Sequence, residues 1–176
     1  DSSSTSIKKY SMELGGNAPF IVFDDADLDN AINIGAAIKF GNCGQICVAA
    51  NRFFVHEKVY DKFLNGLIEK AKNLKIGYSE DLDFEIGPLI SKKSRDRITN
   101  LIKDTIDSGG NLEYGGGIPE MSGNWFEPTV ISGINESMSI FHEEIFGPVA
   151  SIIKFKYDEE VLNQANKTQY GLASYL

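Results

Sequence analysis

The sequence predicts an α/β fold in which helices cover both faces of a mostly parallel sheet, giving three layers. Short apolar, β-branched runs alternate along the chain with segments whose apolar residues recur at three- and four-residue intervals. Strands separated by helices of this length are joined by crossovers, which leave successive strands parallel. The chain has 176 residues, 42% of them hydrophobic, so one core and one domain are expected.

The first half of the chain contains the clearest elements. Residues 19–23 form an apolar run typical of a strand, and Asp25 or Asp27 can cap the helix that follows, because a carboxylate accepts from the free N–H groups of a first turn. Residues 52–57 are predicted to be a strand. The strongest helical periodicity covers residues 58–74, where the apolar stripe indicates core packing rather than a cofactor site.

The second half continues the alternation. A helix is predicted over 94–107, and Gly109 with Gly110 ends it, since glycine is a common helix terminator. The other predicted elements are a short strand and turn over 111–117, strands over 128–134 and 149–157, a helix over 158–167 and the beginning of a strand over 171–176. Residues 1–10 are polar and serine-rich and are predicted to be a flexible lead-in.

Composition argues against several classes of protein. The net charge of −8 disfavours a surface for nucleic acid or anionic lipid, because phosphate binding needs clustered Lys and Arg. No apolar run approaches the roughly 20 residues of a membrane span, and we expect a soluble, cytoplasmic protein. The chain ends inside an apolar strand, so we expect it to be a fragment of a longer protein.

The two cysteines, Cys43 and Cys47, lie in a Gly-, Asn- and Gln-rich stretch between two apolar segments. Structural zinc needs four ligands, and only His56 and His142, in separate segments, could add to the pair, so no metal is expected. A thiol in a loop at the end of a helix can be an exposed nucleophile. The commoner alternative is an inert, packed thiol, and a second observation is needed to choose.

Glu13 supplies that second observation. It precedes a Gly-Gly turn that leads into the apolar strand over 19–23. A carboxylate is tolerated there only at an open edge or in a cleft, although a plain solvated residue is the alternative. The glycines at 115–117 lack the Lys-Ser/Thr of a phosphate loop, so the chain shows no phosphate cradle of its own.

Three separated motifs together resemble the aldehyde dehydrogenase superfamily, and within it the succinate-semialdehyde dehydrogenase branch. They are MELGGNAP at 12–19, GQIC at 44–47 and EEIFGP at 143–148, and the lesser matches IGPLIS, WFEPTV and NKTQYGLASY extend the resemblance over residues 11–176. The resemblance implies the catalytic domain of that fold. It also implies that the NAD-binding half and the final strands lie outside this chain.

The resemblance implies a role for each motif residue. Cys47 matches the family nucleophile and Glu13 the base that activates water. Glu144 matches the residue that binds the nicotinamide ribose, and Phe146 matches the ring beside the nicotinamide. Leu14 and Gly15 would lie against the nicotinamide, and Cys43 matches no catalytic position. The implied cofactor is NAD or NADP, and the implied full-length protein is a homo-oligomer acting on an aldehyde.

The resemblance is less complete at the substrate end. The branch usually carries an arginine at the position of Gly41, where it helps to bind the substrate carboxylate, so another cation compensates or the substrate differs. A frequent second cysteine two residues after the nucleophile is replaced by Ala49, which excludes a disulfide switch there.

The sequence leaves two alternative functions open, one for a different enzyme and one for a protein that is not an enzyme. A thiol acyltransferase or thioesterase would use Cys47 without a nicotinamide, whereas a non-catalytic scaffold would keep Cys47 buried and unreactive. The isolated chain is expected to be nearly inactive as a dehydrogenase, because it lacks the half that binds the dinucleotide.

Overall fold

A five-stranded sheet with strand order β1-β2-β5-β4-β3 organises the computed structural model, which describes residues 9–77 and 84–176. The strands β1, β2, β5 and β4 are parallel, and β3 joins the edge antiparallel to β4. The strands are β1 (Ala18–Val22), β2 (Ala50–His56), β3 (Asn111–Tyr114), β4 (Thr129–Ser132) and β5 (Val149–Phe155). The helices are α1 (Leu28–Phe40), α2 (Tyr60–Asn73), α3 (Lys92–Asp107), α4 (Ser139–His142) and α5 (Asp158–Asn166).

Neighbouring residues of the central strand β2 serve the two faces of the sheet. Phe53 meets the helix α2 ring of Phe63 at a centroid distance of 6.0 Å, while Phe54 meets the helix α4 ring of Phe141 at 6.1 Å on the other side. This alternation follows from the two-residue period of a strand. Helices therefore cover both faces, and the predicted three-layer α/β fold with a mostly parallel sheet is confirmed.

The helix starts follow the capping side chains. Asp27 is the N-cap of α1, because its Oδ1 accepts from the Asn30 N–H at 3.2 Å, and Asp25 plays no such part. Helix α3 begins at Lys92, earlier than the predicted 94, because the Ser91 hydroxyl accepts from the Ser94 N–H at 3.1 Å.

The end of the chain differs from the prediction. Residues 171–176 form only a single bridge to β1, in which the Tyr175 N–H donates to the Pro19 carbonyl at 3.0 Å and the Ile21 N–H donates to the Tyr175 carbonyl at 2.9 Å. The short helix α4 was not predicted, because one turn carries too little periodicity to register as a pattern.

Two further expectations concern the polar lead-in and membrane-spanning helices. Of the predicted lead-in over residues 1–10, residues 1–8 lie outside the described residues, and Lys9 and Tyr10 are exposed. Within residues 9–77 and 84–176, no helix is long and apolar enough to cross a bilayer.

Candidate active site

A cavity of about 500 Å³ joins the three motifs. Its walls come from the segment before β1, from the turn after α1 and from the segment between α4 and β5. The lining residues are Glu13, Leu14, Gly15, Asn42, Gln45, Ile46, Cys47, Glu144 and Phe146. The structure thus brings together all six residues that the sequence singled out for catalysis or cofactor binding.

The turn after α1 separates the two cysteines into different environments. Asn42, Cys43 and Gly44 have successive φ values of 50°, 57° and 68°, so the turn that follows the end of α1 at Phe40 is left-handed. The Asn42 side chain supports the turn by donating to the Gln45 carbonyl at 3.1 Å. As a result Cys43 is 1% exposed, whereas Cys47 is partly exposed at the cavity.

Burial sets the chemistry of Cys43. It raises the pKa of that thiol to about 12, and the nearby Lys39 ammonium opposes the rise only in part. Cys43 is therefore a packed thiol, which agrees with the inert, packed alternative considered for the cysteines from the sequence. The exposure of Cys47 does not match the buried nucleophile expected of a non-catalytic scaffold.

Close backbone approaches at two glycines hold the motifs together. A Cβ on Gly16 would stand 2.2 Å from the Cys47 carbonyl oxygen, and a Cβ on Gly44 would stand 2.1 Å from the Gly147 carbonyl oxygen. Only a residue without a side chain permits either contact. The turn that carries Cys47 is thus packed directly against the segments that carry Glu13 and Phe146.

Glu13 lies on the extended segment before β1. Its side chain is exposed at the cavity, and it makes no hydrogen bond or ion pair with another residue of the described part of the chain. The carboxylate is therefore free to meet a water or a substrate.

Glu144 and Phe146 lie on the irregular segment between α4 and β5. The Glu144 Oε1 accepts from the Gly16 N–H at 2.9 Å, so the carboxylate reaches across the cavity wall to the first motif. Phe146 has φ of 49° and is 37% exposed as a residue. A left-handed conformation is unfavourable for an aromatic residue and is kept only where the surroundings enforce it.

The sequence profile of the Aldehyde dehydrogenase family matches residues 1–176. This chain belongs to the aldehyde dehydrogenase family. The cavity that joins its three motifs therefore lies in a member of that family, and the resemblance read from the sequence is confirmed.

The relatives that this chain matches in the aldehyde dehydrogenase family include three succinate-semialdehyde dehydrogenases. The NADP(+) enzyme 2 of Schizosaccharomyces pombe is 46% identical over 175 residues, covering 99% of this chain and 36% of that protein. The GabD enzyme of Escherichia coli is 46% identical over 169 residues, covering 96% of this chain and 35% of that protein. The crystal structure of the Burkholderia pseudomallei enzyme superposes with a TM-score of 0.93 at 45% identity, over 97% of this chain and 35% of that one. This chain thus spans about a third of the length of these relatives.

Several polar residues that are buried in the structure were not identified from the sequence. The described residues Lys39 and Arg52 are fully buried, and Asn17 and Asn51 are 3% exposed. Burial lowers the pKa of Lys39 to about 7, and the nearby Glu144 carboxylate partly opposes this. One signal was available, because Lys39 falls on the buried stripe of α1, seven residues after Ile32.

Proposed function

We propose that this chain forms the catalytic part of an NAD(P)-dependent aldehyde dehydrogenase that oxidises succinate semialdehyde to the carboxylic acid. The observation that carries the proposal is the single cavity that Cys47 shares with Glu13 and Glu144. The relatives named as NADP(+) succinate-semialdehyde dehydrogenases support the substrate and the cofactor.

Cys47 is the nucleophile of the proposed reaction. Its thiolate adds to the aldehyde carbon, which converts the planar carbonyl into a tetrahedral adduct with an oxyanion. The Cys47 N–H donates to no acceptor among residues 9–77 and 84–176, so this backbone donor is available to the oxyanion.

The second wall of the cavity fits the nicotinamide end of a dinucleotide. The Glu144 carboxylate can accept the hydrogen bonds of a ribose diol, and the exposed ring of Phe146 offers an apolar face. A Cβ on Gly15 would stand 2.7 Å from the Glu144 Oε2, so the glycine leaves this wall open, with Leu14 beside it. When bound, NAD(P)+ would accept the hydride from the tetrahedral carbon of the adduct.

Glu13 completes the cycle by hydrolysis. Loss of the hydride leaves a thioester on Cys47, and the Glu13 carboxylate takes a proton from the water that attacks the thioester carbonyl. Collapse of that adduct releases the carboxylic acid and returns the sulfur of Cys47 as a thiolate. The exposed carboxylate of Glu13, on the same cavity as the sulfur, suits this role.

The substrate assignment depends on the relatives rather than on a cation in the cavity. None of the nine residues that line the cavity is a Lys or Arg. The relatives also include a 3-sulfolactaldehyde dehydrogenase of Pseudomonas putida and a 3,6-anhydro-alpha-L-galactose dehydrogenase of Vibrio, at 43% and 40% identity. Succinate semialdehyde is proposed because it is the aldehyde that most of these names share.

The test uses the full-length protein, meaning the natural polypeptide that carries these residues. Formation of NADH and of NADPH is followed with succinate semialdehyde and with butanal, its uncharged analogue of the same carbon number. We expect dinucleotide-dependent oxidation that favours the carboxylated aldehyde and disappears in Cys47→Ser but persists in Cys43→Ser. Equal rates with butanal would refute the substrate, and ester turnover without any dinucleotide-dependent oxidation would refute the dehydrogenase.

A further inference from the structure

A buried amide lies directly behind the cofactor wall of the cavity. The Asn51 side chain makes four hydrogen bonds and is 3% exposed. Its Oδ1 accepts from the Lys39 Nζ at 3.5 Å and from the Ile145 N–H at 3.2 Å. Its Nδ2 donates to the Asn17 Oδ1 and to the Glu143 carbonyl, each at 2.8 Å. Every strong hydrogen-bonding position of this amide is therefore used.

The orientation of the amide is determined by its neighbours. The oxygen faces two donors and the nitrogen faces two acceptors, so a flipped Asn51 would lose all four contacts. Asn17 is held in turn, because its Nδ2 donates to the Phe141 carbonyl at 3.1 Å. Lys39 is fully buried and makes its hydrogen bond with Asn51.

The contacts of Asn51 bracket Glu144. The Glu143 carbonyl precedes this residue and the Ile145 N–H follows it, and both belong to a segment without helix or strand between His142 and Val149. From the surface, the Arg97 guanidinium donates to the Glu144 carbonyl at 3.2 Å and also to the Ile145 carbonyl. The path of this segment therefore depends on two side chains.

We propose that Asn51 is a positioning residue for the cofactor, which fixes the place of the Glu144 carboxylate and the Phe146 ring through the backbone around them. The inference rests on the proposed dehydrogenase function. None of the hydrogen bonds that Asn51 makes within residues 9–77 and 84–176 reaches Cys47, so the loss of Asn51 should weaken dinucleotide binding and spare the reactivity of the nucleophile.

The main variant is Asn51→Asp, which has nearly the same shape. The new oxygen cannot donate to the Glu143 carbonyl or to the Asn17 Oδ1, so two contacts become repulsive. The matched control is Ser151→Ala, because Ser151 is fully buried and its hydroxyl donates to the backbone carbonyl of Asn51 at 2.5 Å. This substitution removes a buried contact of Asn51 and leaves its side-chain amide in place.

The measurements are made on the full-length protein. NADPH binding is titrated by fluorescence, KM for the dinucleotide is compared with kcat, and hydrolysis of p-nitrophenyl acetate without dinucleotide reports on Cys47. In Asn51→Asp we expect the NADPH dissociation constant and KM to rise about tenfold, with ester hydrolysis within about twofold of wild type. The control should keep the wild-type dissociation constant.

Two outcomes would overturn the inference. One is an unchanged NADPH dissociation constant in Asn51→Asp, and the other is a parallel loss of ester hydrolysis and cofactor binding. If Asn51→Asp does not fold, Arg97→Gln decides, because this exposed side chain holds the same segment from outside. Its dissociation constant should rise while ester hydrolysis persists, and a wild-type dissociation constant would refute the inference.

The same experiment separates this inference from the function on which it rests. A wild-type protein that oxidises no aldehyde with either dinucleotide refutes the proposed function. A wild-type protein that is active, with Asn51 and Arg97 variants that bind NADPH normally, refutes only the positioning role.

Discussion

The Glu144 carboxylate accepts a hydrogen bond from the Gly16 N–H at 2.9 Å, across 128 positions of sequence. This contact joins the first and third motifs, and Gly16 also lies against the backbone of Cys47 in the second, where a Cβ would come within 2.2 Å of the carbonyl oxygen. The candidate base Glu13, the candidate nucleophile Cys47 and the candidate ribose-binding residue Glu144 thus lie on segments that contact one another. The arrangement makes the chemistry of each testable by single substitutions.

The two cysteines should differ sharply in reactivity. Iodoacetamide should alkylate Cys47 at neutral pH and spare Cys43, because burial excludes the reagent and raises the pKa of Cys43 to about 12. Peptide mass spectrometry of the native full-length protein measures both rates. Cys47→Ser should abolish the fast labelling, and labelling of Cys43 at a similar rate would contradict the structure.

Lys39 should make stability depend on pH. Its pKa is lowered to about 7 in the folded protein, so between there and the ordinary lysine value of about 10.4 the unfolded chain binds the extra proton. Stability from this group therefore rises with pH through that window and is lowest below it. The free energy of unfolding of Lys39→Met should exceed that of wild type by most near pH 6. This excess should fall by up to about 1.4 kcal/mol per pH unit above pH 7.

Urea unfolding at several pH values tests the effect of Lys39. The matched control is Lys93→Met, because Lys93 is exposed on α3, and its difference from wild type should stay constant with pH. A constant difference for Lys39→Met as well would show that its amine is not held in a low-dielectric site.

Gly41 should control the preference for carboxylated aldehydes. A Cβ at this position meets no atom within 4 Å, and φ of −51° suits any L residue, so an arginine can be introduced without strain. Gly41→Arg should raise the ratio of kcat/KM for succinate semialdehyde over butanal about tenfold, as expected for a charge-assisted contact. Gly41→Met adds similar bulk without charge and should leave the ratio unchanged, and equal ratios in both variants would exclude a nearby carboxylate.

Gly44 should be intolerant of a side chain. Gly44→Ala places a Cβ 2.1 Å from the Gly147 carbonyl oxygen at φ of 68°, which should cost about 1–3 kcal/mol of unfolding free energy. Gly41→Ala, in the same turn, meets no atom and should be neutral or slightly stabilising. Denaturation curves of the two variants that overlap would show that the turn does not pack on Gly147.

More of the fold and of the cavity lining could be predicted from the sequence than of the buried residues that support the cavity. The periodicity of strands and helices is a local property of the sequence, so β2, α2 and β5 could be predicted. The antiparallel pairing of β3 could not be predicted, because it depends on which edge of the sheet is free. Glu13, Cys47 and Glu144 were found through their motifs. The four hydrogen bonds of Asn51 could not be predicted from the sequence, because its partners lie on three segments that only the tertiary fold brings together.

Trapping the acylated enzyme tests whether Cys47 and Glu13 act on one substrate in one cavity. Full-length Glu13→Gln is mixed with succinate semialdehyde and NADP+, and the mass of the Cys47 peptide is measured alongside NADPH. We expect a burst of about one NADPH per site with a succinyl group retained on Cys47, because the thioester forms but is not hydrolysed. Steady turnover at the wild-type rate with unmodified Cys47 would show that Glu13 does not act on the Cys47 thioester.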